Sequence, residues 1–310
     1  MKIAFISGVI FGHELLDIIL KNNFDVRIIF SYENSKKGVY SDYVSFDDLA
    51  KKYNLQNVKV KNINDVENLR IFQEIQPDLI LVMGWSQLLK KDIIKIPKLG
   101  VIGSHPTELP KYRGRAPIPW TIIKGLKESA LTFFYIQEGV DNGDILDQSK
   151  FKVAEEDDAS SLYQKITDLG RKMIIKNLQL IKSGKNKRTK QDESKFLEYW
   201  PKRTPDDGKI DWSLNGNQIH TLIRATTHPY PGAFAYFNNL KLIIWKTKFL
   251  NNKNSDPGRI LSVSNVGVKI GTGNSDILLE LVSYNEQENV RPGQIFSRDD
   301  INKILSSEIN

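Results

Sequence analysis

In the first hundred residues, short runs of β-branched and aliphatic residues alternate with stretches whose apolar residues fall three and four apart. KIAFI (2–6), VRIIF (26–30), VKV (58–60), LILVM (79–83) and LGVIGSH (99–105) have the continuous apolar character of strands buried on both faces. Between them HELLDIILK, FDDLAKKY and VENLRIFQEI carry helical spacing. A strand and a helix every roughly 25–30 residues make βαβ units, and these predict an α/β fold on an open, mostly parallel, twisted sheet. After His105 come a loop rich in Pro, Gly and Arg, a helical stretch from about 116, the strand-like run ALTFFYI (130–136) and a long helix over about 158–182, with Ser160 or Ser161 expected as its N-cap.

The pattern then changes. KSGKNKRTKQDESK (182–195) has five Lys or Arg within nine residues and no periodicity; it reads as a solvated connector, contact with a phosphate backbone being the alternative. Past 209, NGNQIHTLIRAT reads as one short helix. GAFAYF, LKLIIWKTKF, GRILSVS and DILLELVSY then alternate with Asn/Gly/Asp turns, as in a small antiparallel, barrel-like β-rich domain. The expected organisation is a catalytic α/β domain over 1–195, a linker over 196–209 contributing to the substrate site, and a β-rich domain over 210–310.

Composition removes several chemistries. There is no cysteine, hence no disulfide, thiolate nucleophile or cysteine metal site, and the four histidines are scattered without HExxH, so no metal is expected. A net charge of +7 suits an anionic small molecule as well as RNA. No apolar run approaches the ~20 residues of a membrane helix. MKIAFISGVIFGHELLDIIL is interrupted by Gly8, Gly12, Glu14 and Asp17 and lacks a small-x-small cleavage site, so a cytoplasmic protein without a membrane partner is expected.

In an open parallel sheet, ligands gather at the carboxyl ends of strands. The candidates are Ser7-Gly8, Gly84-Trp85-Ser86 and Ser104-His105. SGVIFG is no GxGxxG, and neither GxxxxGK[ST] nor GxSxG occurs. His105 ends a buried strand and opens a rigid loop, the place for a base or for a satisfied structural histidine. GVDNGDIL adds Asp141 and Asp144, and a carboxylate beside a histidine fixes its tautomer and stabilises the imidazolium. With neither a cysteine nor an elbow serine, acid–base chemistry on a nucleophile that the substrate supplies fits better than covalent catalysis.

SHPTELPKYRGRAPIPW and GVDNGDIL, with RTPDDGKIDWS and HPYPGAF further on, are similar to the signature of folate-dependent formyltransferases, NxHxSLLPxxRG followed by D-x-G. The resemblance implies an Asn-His-Asp set on the α/β domain and 10-formyltetrahydrofolate as formyl donor to an amine. Matched residue by residue, it makes His105 the general base and Asp141 its orienting carboxylate. It also lines a folate pocket with Met83, Gly84, Trp85, Ser86, Gln87, Leu88, Leu89 and Val140. The family's Asn is absent, Gly103 standing at the oxyanion position. Strand side chains alternate faces, so 103 and 105 share a face and Ser104 takes the other. A water or a donor from another loop is therefore expected to hold the oxyanion.

Members of this family that act on tRNA carry a basic insertion after the second strand, whereas SYENSKKGVYSDYVSFDD is short and no more basic than acidic. RGRAPIPW, RTPDDG and PYPGAF look more like the nucleotide-sugar N-formyltransferases. On that likeness Lys111, Arg113, Arg115, Arg203 and Arg224 are candidates to grip a diphosphate, and Trp120 and Tyr230 to stack on a base. The expected function is N-formylation of a 3- or 4-amino-deoxysugar on a nucleotide, with nucleic acid not expected as a partner and a homodimer left open. The alternatives are methionyl-tRNA formylation and a non-catalytic binding protein on this scaffold.

Overall fold

A computed structural model describes residues 1–33, 41–237, 240–250, 256–264 and 267–284; the remainder of the expected 210–310 domain lies outside the described residues. The chain forms two compact units. The first takes Met1–Pro117, Leu126–Ala154 and Leu162–Lys202, and the second Ile118–Gly125, Glu155–Ser161 and the chain from Arg203.

The alternation expected of the first hundred residues is present. It runs β1 (Ile3–Ile6), α1 (Ile10–Lys21), β2 (Val26–Tyr32), α2 (Asp47–Tyr53), β3 (Gln56–Val60), α3 (Val66–Ile75), β4 (Leu79–Val82), a single turn α4 (Lys91–Ile94) and β5 (Val101–His105). There follow β6 (Tyr112–Gly114), α5 (Pro117–Ile123), β7 (Glu128–Tyr135), β8 (Ile145–Lys152), α6 (Ala159–Lys182) and β9 (Glu198–Trp200). The main sheet has the order β3-β2-β1-β4-β5-β7-β8. Its first five strands are parallel, while β7 runs antiparallel to both β5 and β8. Ala4, Ile6, Ile28, Phe30, Ile80, Val82 and Val101 bury one face of this sheet against Phe72 of α3 and Ile93 of α4. By period two, Gly103 and His105 belong to that face. The chain leaves β1 toward β2 and β3, then returns to β4 and β5 on its other side, so strand order reverses between β1 and β4. The crevice beyond that reversal is where such sheets take ligands.

Two expectations are corrected here. The N-cap of α6 is Asp158, whose carboxylate accepts from Ser161 N–H at 2.9 Å while Ser161 Oγ accepts from Asp158 N–H at 3.1 Å. An N-cap of this kind contributes about 1 kcal/mol. The polar connector is also no free linker. Thr189 bridges Ile145 through both backbone groups, and β9 pairs with β6 in a two-stranded sheet, carrying the first unit past 195 to Lys202.

The second unit places α7 (Gly216–Thr226) on an antiparallel sheet. That sheet comprises β10 (Ala233–Phe237), β11 (Leu240–Leu250), β12 (Ile260–Ser264), β13 (Gly267–Gly271) and β14 (Asp276–Tyr284), in the order β10-β11-β14-β13-β12. Asn215 and Gln218 start α7 with a reciprocal cap. Ile219 and Ile223 on its inner face join Ala233, Ile244, Val268, Ile270, Ile277 and Leu279 in one core.

Candidate active site

A cavity of about 470 Å³ opens past the carboxyl ends of β4 and β5. Its wall brings together Trp85, Gln87, Leu88 and Leu89 after β4, Gly103 and Ser104 of β5, Phe134 and Ile136 at the end of β7, and Asp141. Lys90, Lys91, Asp92 and Glu138 also line it, Lys91 and Glu138 being paired at 3.1 Å.

The segment after β4 turns sharply at Gly84, whose φ of +67° lies in the left-handed region that glycine adopts without strain. Trp85 then stacks on Tyr32 of β2, ring centroids 3.8 Å apart and planes 10° from parallel. The Tyr32 hydroxyl lies 2.9 Å from Ser86 Oγ and accepts from Ser86 N–H at 3.0 Å. Trp85 Nε1 is buried without a hydrogen-bond partner. Two side-chain amides pin the rest of the segment to the loop after β3. Gln87 accepts from Ile63 N–H and donates to Lys61 O, and Asn64 donates to Leu88 O and accepts from Lys90 N–H.

The expected pocket residues therefore divide. Trp85, Gln87, Leu88 and Leu89 border the cavity, although both ends of the Gln87 amide are committed to backbone. Met83, Ser86 and Val140 do not border it. Met83 is wholly buried, Ser86 is engaged with Tyr32, and Val140 is exposed. Asn64, which the sequence analysis missed, reads in sequence like any loop asparagine, because its partners lie 24 and 26 residues away.

β5 pairs with β4 and β7 in unbroken register up to His105, so the expected alternation of 103, 104 and 105 holds. A Cβ added at Gly103 would sit 2.9 Å from Ile136 Cδ1 and Cγ1 and 3.2 Å from Phe134 Cζ; the space of the family's Asn is filled from β7. His105 is 5% exposed. Its Nε2 lies 3.0 Å from the carbonyl of Tyr112, and because a carbonyl only accepts, Nε2 bears the hydrogen and donates. Nδ1 is left facing Asp141 Oδ2 at 3.7 Å. That oxygen accepts from Gly114 N–H at 2.9 Å. This departs from triad geometry, in which one histidine nitrogen faces the carboxylate and the other the substrate. Here it is Asp141 that reaches the cavity, with the imidazole behind it.

Of the expected substrate residues, Arg113 is corrected outright. It is 4% exposed, and its guanidinium donates to Gln191 Oε1 and both carboxylate oxygens of Glu193, so no donor face remains for a diphosphate. Lys111 is paired with Glu108 at 3.0 Å, and Arg115 is exposed. Trp120, Arg203, Arg224 and Tyr230 belong to the second unit. There Arg203 lies 5.1 Å above the ring of Trp120 and donates to Asp207 O. Burial holds the Arg203 pKa below its ordinary value, against the charge of Asp207. Burial does the same to Arg224, opposed by Asp158, Glu155, Asp157 and Glu156, and its Nε is buried without a partner. Tyr230 donates its backbone N–H to Thr227 O. Among the described residues, no three His, Asp or Glu side chains cluster as metal ligands would.

The family described as "Formyl transferase" matches residues 1–178, and "Formyl transferase, C-terminal domain" matches 202–299. The methionyl-tRNA formyltransferase of Clostridioides difficile (strain 630) is 31% identical over 297 residues, covering 95% of this chain and 96% of that protein. The bifunctional polymyxin resistance protein ArnA of Wigglesworthia glossinidia brevipalpis is 35% identical over 266 residues, 84% of this chain and 40% of that protein. Among solved structures, an N-formyltransferase from Helicobacter canadensis, in complex with folinic acid and dTDP-3-aminofucose, superposes with a TM-score of 0.67. It is 21% identical, over 90% of this chain and 99% of its own.

Proposed function

This chain belongs to the formyl transferase family and is an enzyme that moves formyl groups, and from that premise we propose that 10-formyltetrahydrofolate is its donor and the amine of a nucleotide-linked amino-deoxysugar its acceptor. The observation that carries the donor is the cavity beside Asp141. Its wall combines a stacked tryptophan with an unpartnered, buried indole N–H, apolar Leu88 and Leu89, and the Asp141 carboxylate, with Asp92 and a paired Lys91 and Glu138 also on the lining. A flat heterocycle with hydrogen-bonding edges fits such a wall. When bound in this cavity, the donor would supply an activated formyl group.

There the chain's own residues manage the proton. As the neutral acceptor amine forms its bond to the formyl carbon, the bond from that carbon to the donor's nitrogen breaks; the amine gives up a proton, for which Asp141 is the base, and the departing nitrogen takes one up. A proton passed on to His105 Nδ1 makes an imidazolium held on one side by the Tyr112 carbonyl and on the other by Asp141, so the charge is paired where it forms. The 3.7 Å separation is one that closes readily around a bound substrate.

For the acceptor, support comes from two places. In sequence, the connection between β2 and α2 has two lysines, Lys36 and Lys37, and two acids, Glu33 and Asp42, a balance that does not favour a polyanion such as tRNA. The half-buried Arg203 over Trp120 pairs a cation with a flat ring, as a diphosphate and a base require. The second reading, formylation of a methionyl-tRNA, is favoured by the likeness over 95% of the chain to an enzyme of that name. The test supplies 10-formyltetrahydrofolate with a panel of UDP- and dTDP-linked amino-deoxysugars in one arm and methionyl initiator tRNA in the other. Formamide formation on a sugar nucleotide, with the tRNA unchanged, is expected; efficient formylation of the tRNA and of none of the sugars would overturn the acceptor assignment.

A further inference from the structure

We infer that Gln191, in the polar segment between α6 and β9, is a positioning residue for Asp141, and that Arg113 serves catalysis by holding Gln191. The inference rests on the reading of Asp141 and His105 as the proton-handling pair.

Asp141 sits on a loop that needs an external hold. Its φ is +51° and that of Gly139 is +115°, both in the left-handed region, where a non-glycine residue persists only if its surroundings impose it. One hold is on the side chain, where Gly114 N–H donates to Oδ2. The other is on the backbone, and Gln191 supplies it. Its amide NH2 donates to Asp141 O and to Gly143 O, each at 2.7 Å, so both hydrogens are used on the two sides of residue 142. Its Oε1 accepts from Arg113 Nη2 at 2.7 Å and Nε at 3.3 Å.

The orientation of that amide is dictated by its partners. A guanidinium only donates and a carbonyl only accepts, so the oxygen must face Arg113 and the nitrogen the loop. Arg113 is fixed in turn by Glu193, at 2.6 and 3.1 Å, and lies over the ring of Phe196 at 5.3 Å. Gln191 itself is 4% exposed. A chain of contacts thus runs Glu193–Arg113–Gln191–Asp141, and Gly114, the neighbour of Arg113, grips the other end of the same aspartate. The segment that looks in sequence like a solvated basic connector sets the position of the carboxylate at the cavity.

Gln191→Glu separates positioning from mere support. A carboxylate at 191 still accepts both Arg113 bonds, now charge-assisted, so burial and fold are retained. It meets the carbonyls of Asp141 and Gly143 acceptor against acceptor, and the loop loses its backbone hold. Misplacing a reacting group by about an ångström lowers rate by up to ~10²-fold. The expected result is a kcat 10- to 100-fold below wild type, with KM for 10-formyltetrahydrofolate and for the acceptor within about three-fold and the thermal midpoint within a few degrees. The pH profile of kcat should also be displaced, because the Asp141–His105 distance changes.

Wild-type kcat in a folded Q191E protein, alongside an inactive Asp141→Asn, would overturn the inference alone. An active Asp141→Asn would instead overturn the reading on which it rests. If Q191E does not fold, Gln191→Met decides. It fills the same volume without any of the four bonds, and lost kcat with retained 5-formyltetrahydrofolate binding supports the inference, while retained kcat overturns it.

Discussion

In the proposed mechanism His105 receives the proton that Asp141 passes on, and removing its imidazole takes that acceptor away. General base help of this kind is worth ~10²–10⁴-fold, so His105→Ala should lower kcat by that range while binding of both substrates stays within a few-fold. Asp141→Asn keeps an oxygen for Gly114 N–H but loses the charge, and a comparable loss of kcat is expected. A change confined to folate affinity would make Asp141 a pocket wall and no more; steady-state kinetics with both substrates varied distinguishes the two. At this scale the sequence was informative about identity and silent about engagement. A histidine ending a buried strand stood out, and the strand's alternation placed 103 and 105 together. That His105 Nε2 is taken by a carbonyl seven residues on depends on how the intervening loop folds back, and no residue pattern encodes it. Arg113 misled for a related reason: an arginine in a loop signature looks like a ligand for phosphate until Glu193, eighty residues away, is found against it.

Helix α7 and the turn that follows it carry a pH response. His220 on α7, within hydrogen-bonding distance of Thr247, and His228 after the helix, stacked on Trp245, both have pKa values lowered by burial. Arg224 adds to the lowering at His220 while Glu280 opposes it, and Asp158 opposes it at His228. A depressed folded pKa means that the unfolded chain binds the proton more readily, so stability is fully present above the unfolded value of about 6.5 and is lost as pH falls below it. The thermal midpoint should accordingly drop as pH is lowered through that value, and His220→Asn with His228→Gln should flatten the curve; an unchanged slope in the double variant would remove both histidines from the effect. Elements like these two, one helix and one turn, were visible in sequence because the helix has a regular apolar stripe. So were β1, β2, β4 and β5, whose apolar runs read as buried strands, and β3, although of QNVKV only Val60 is buried. β6 and β9 were not, since three residues carry no period and their pairing joins segments more than eighty residues apart. Nor was β8, whose partly exposed residues at the sheet edge dilute any alternation.

For the molecule as a whole, 44 basic against 37 acidic residues leave a modest positive excess, which attracts any polyanion without selecting one. Association with tRNA should therefore be weak, indifferent to sequence, and lost steeply between low and physiological salt as counterions are released; filter binding across a salt series would show it, and tight binding of initiator tRNA at physiological salt would contradict the sugar assignment. Among the described residues no helix is long and apolar enough to cross a membrane. The two compact units are interleaved along the chain, which changes unit after residues 117, 125, 154, 161 and 202. On a ribosome that order becomes a delay. From Gly125 to the end of β14 at Tyr284 roughly 160 residues must still be added, about 8–30 s at typical elongation rates of 5–20 residues per second. Until then Ile118 and Ile122, buried in the finished protein, belong to a segment whose unit is still incomplete.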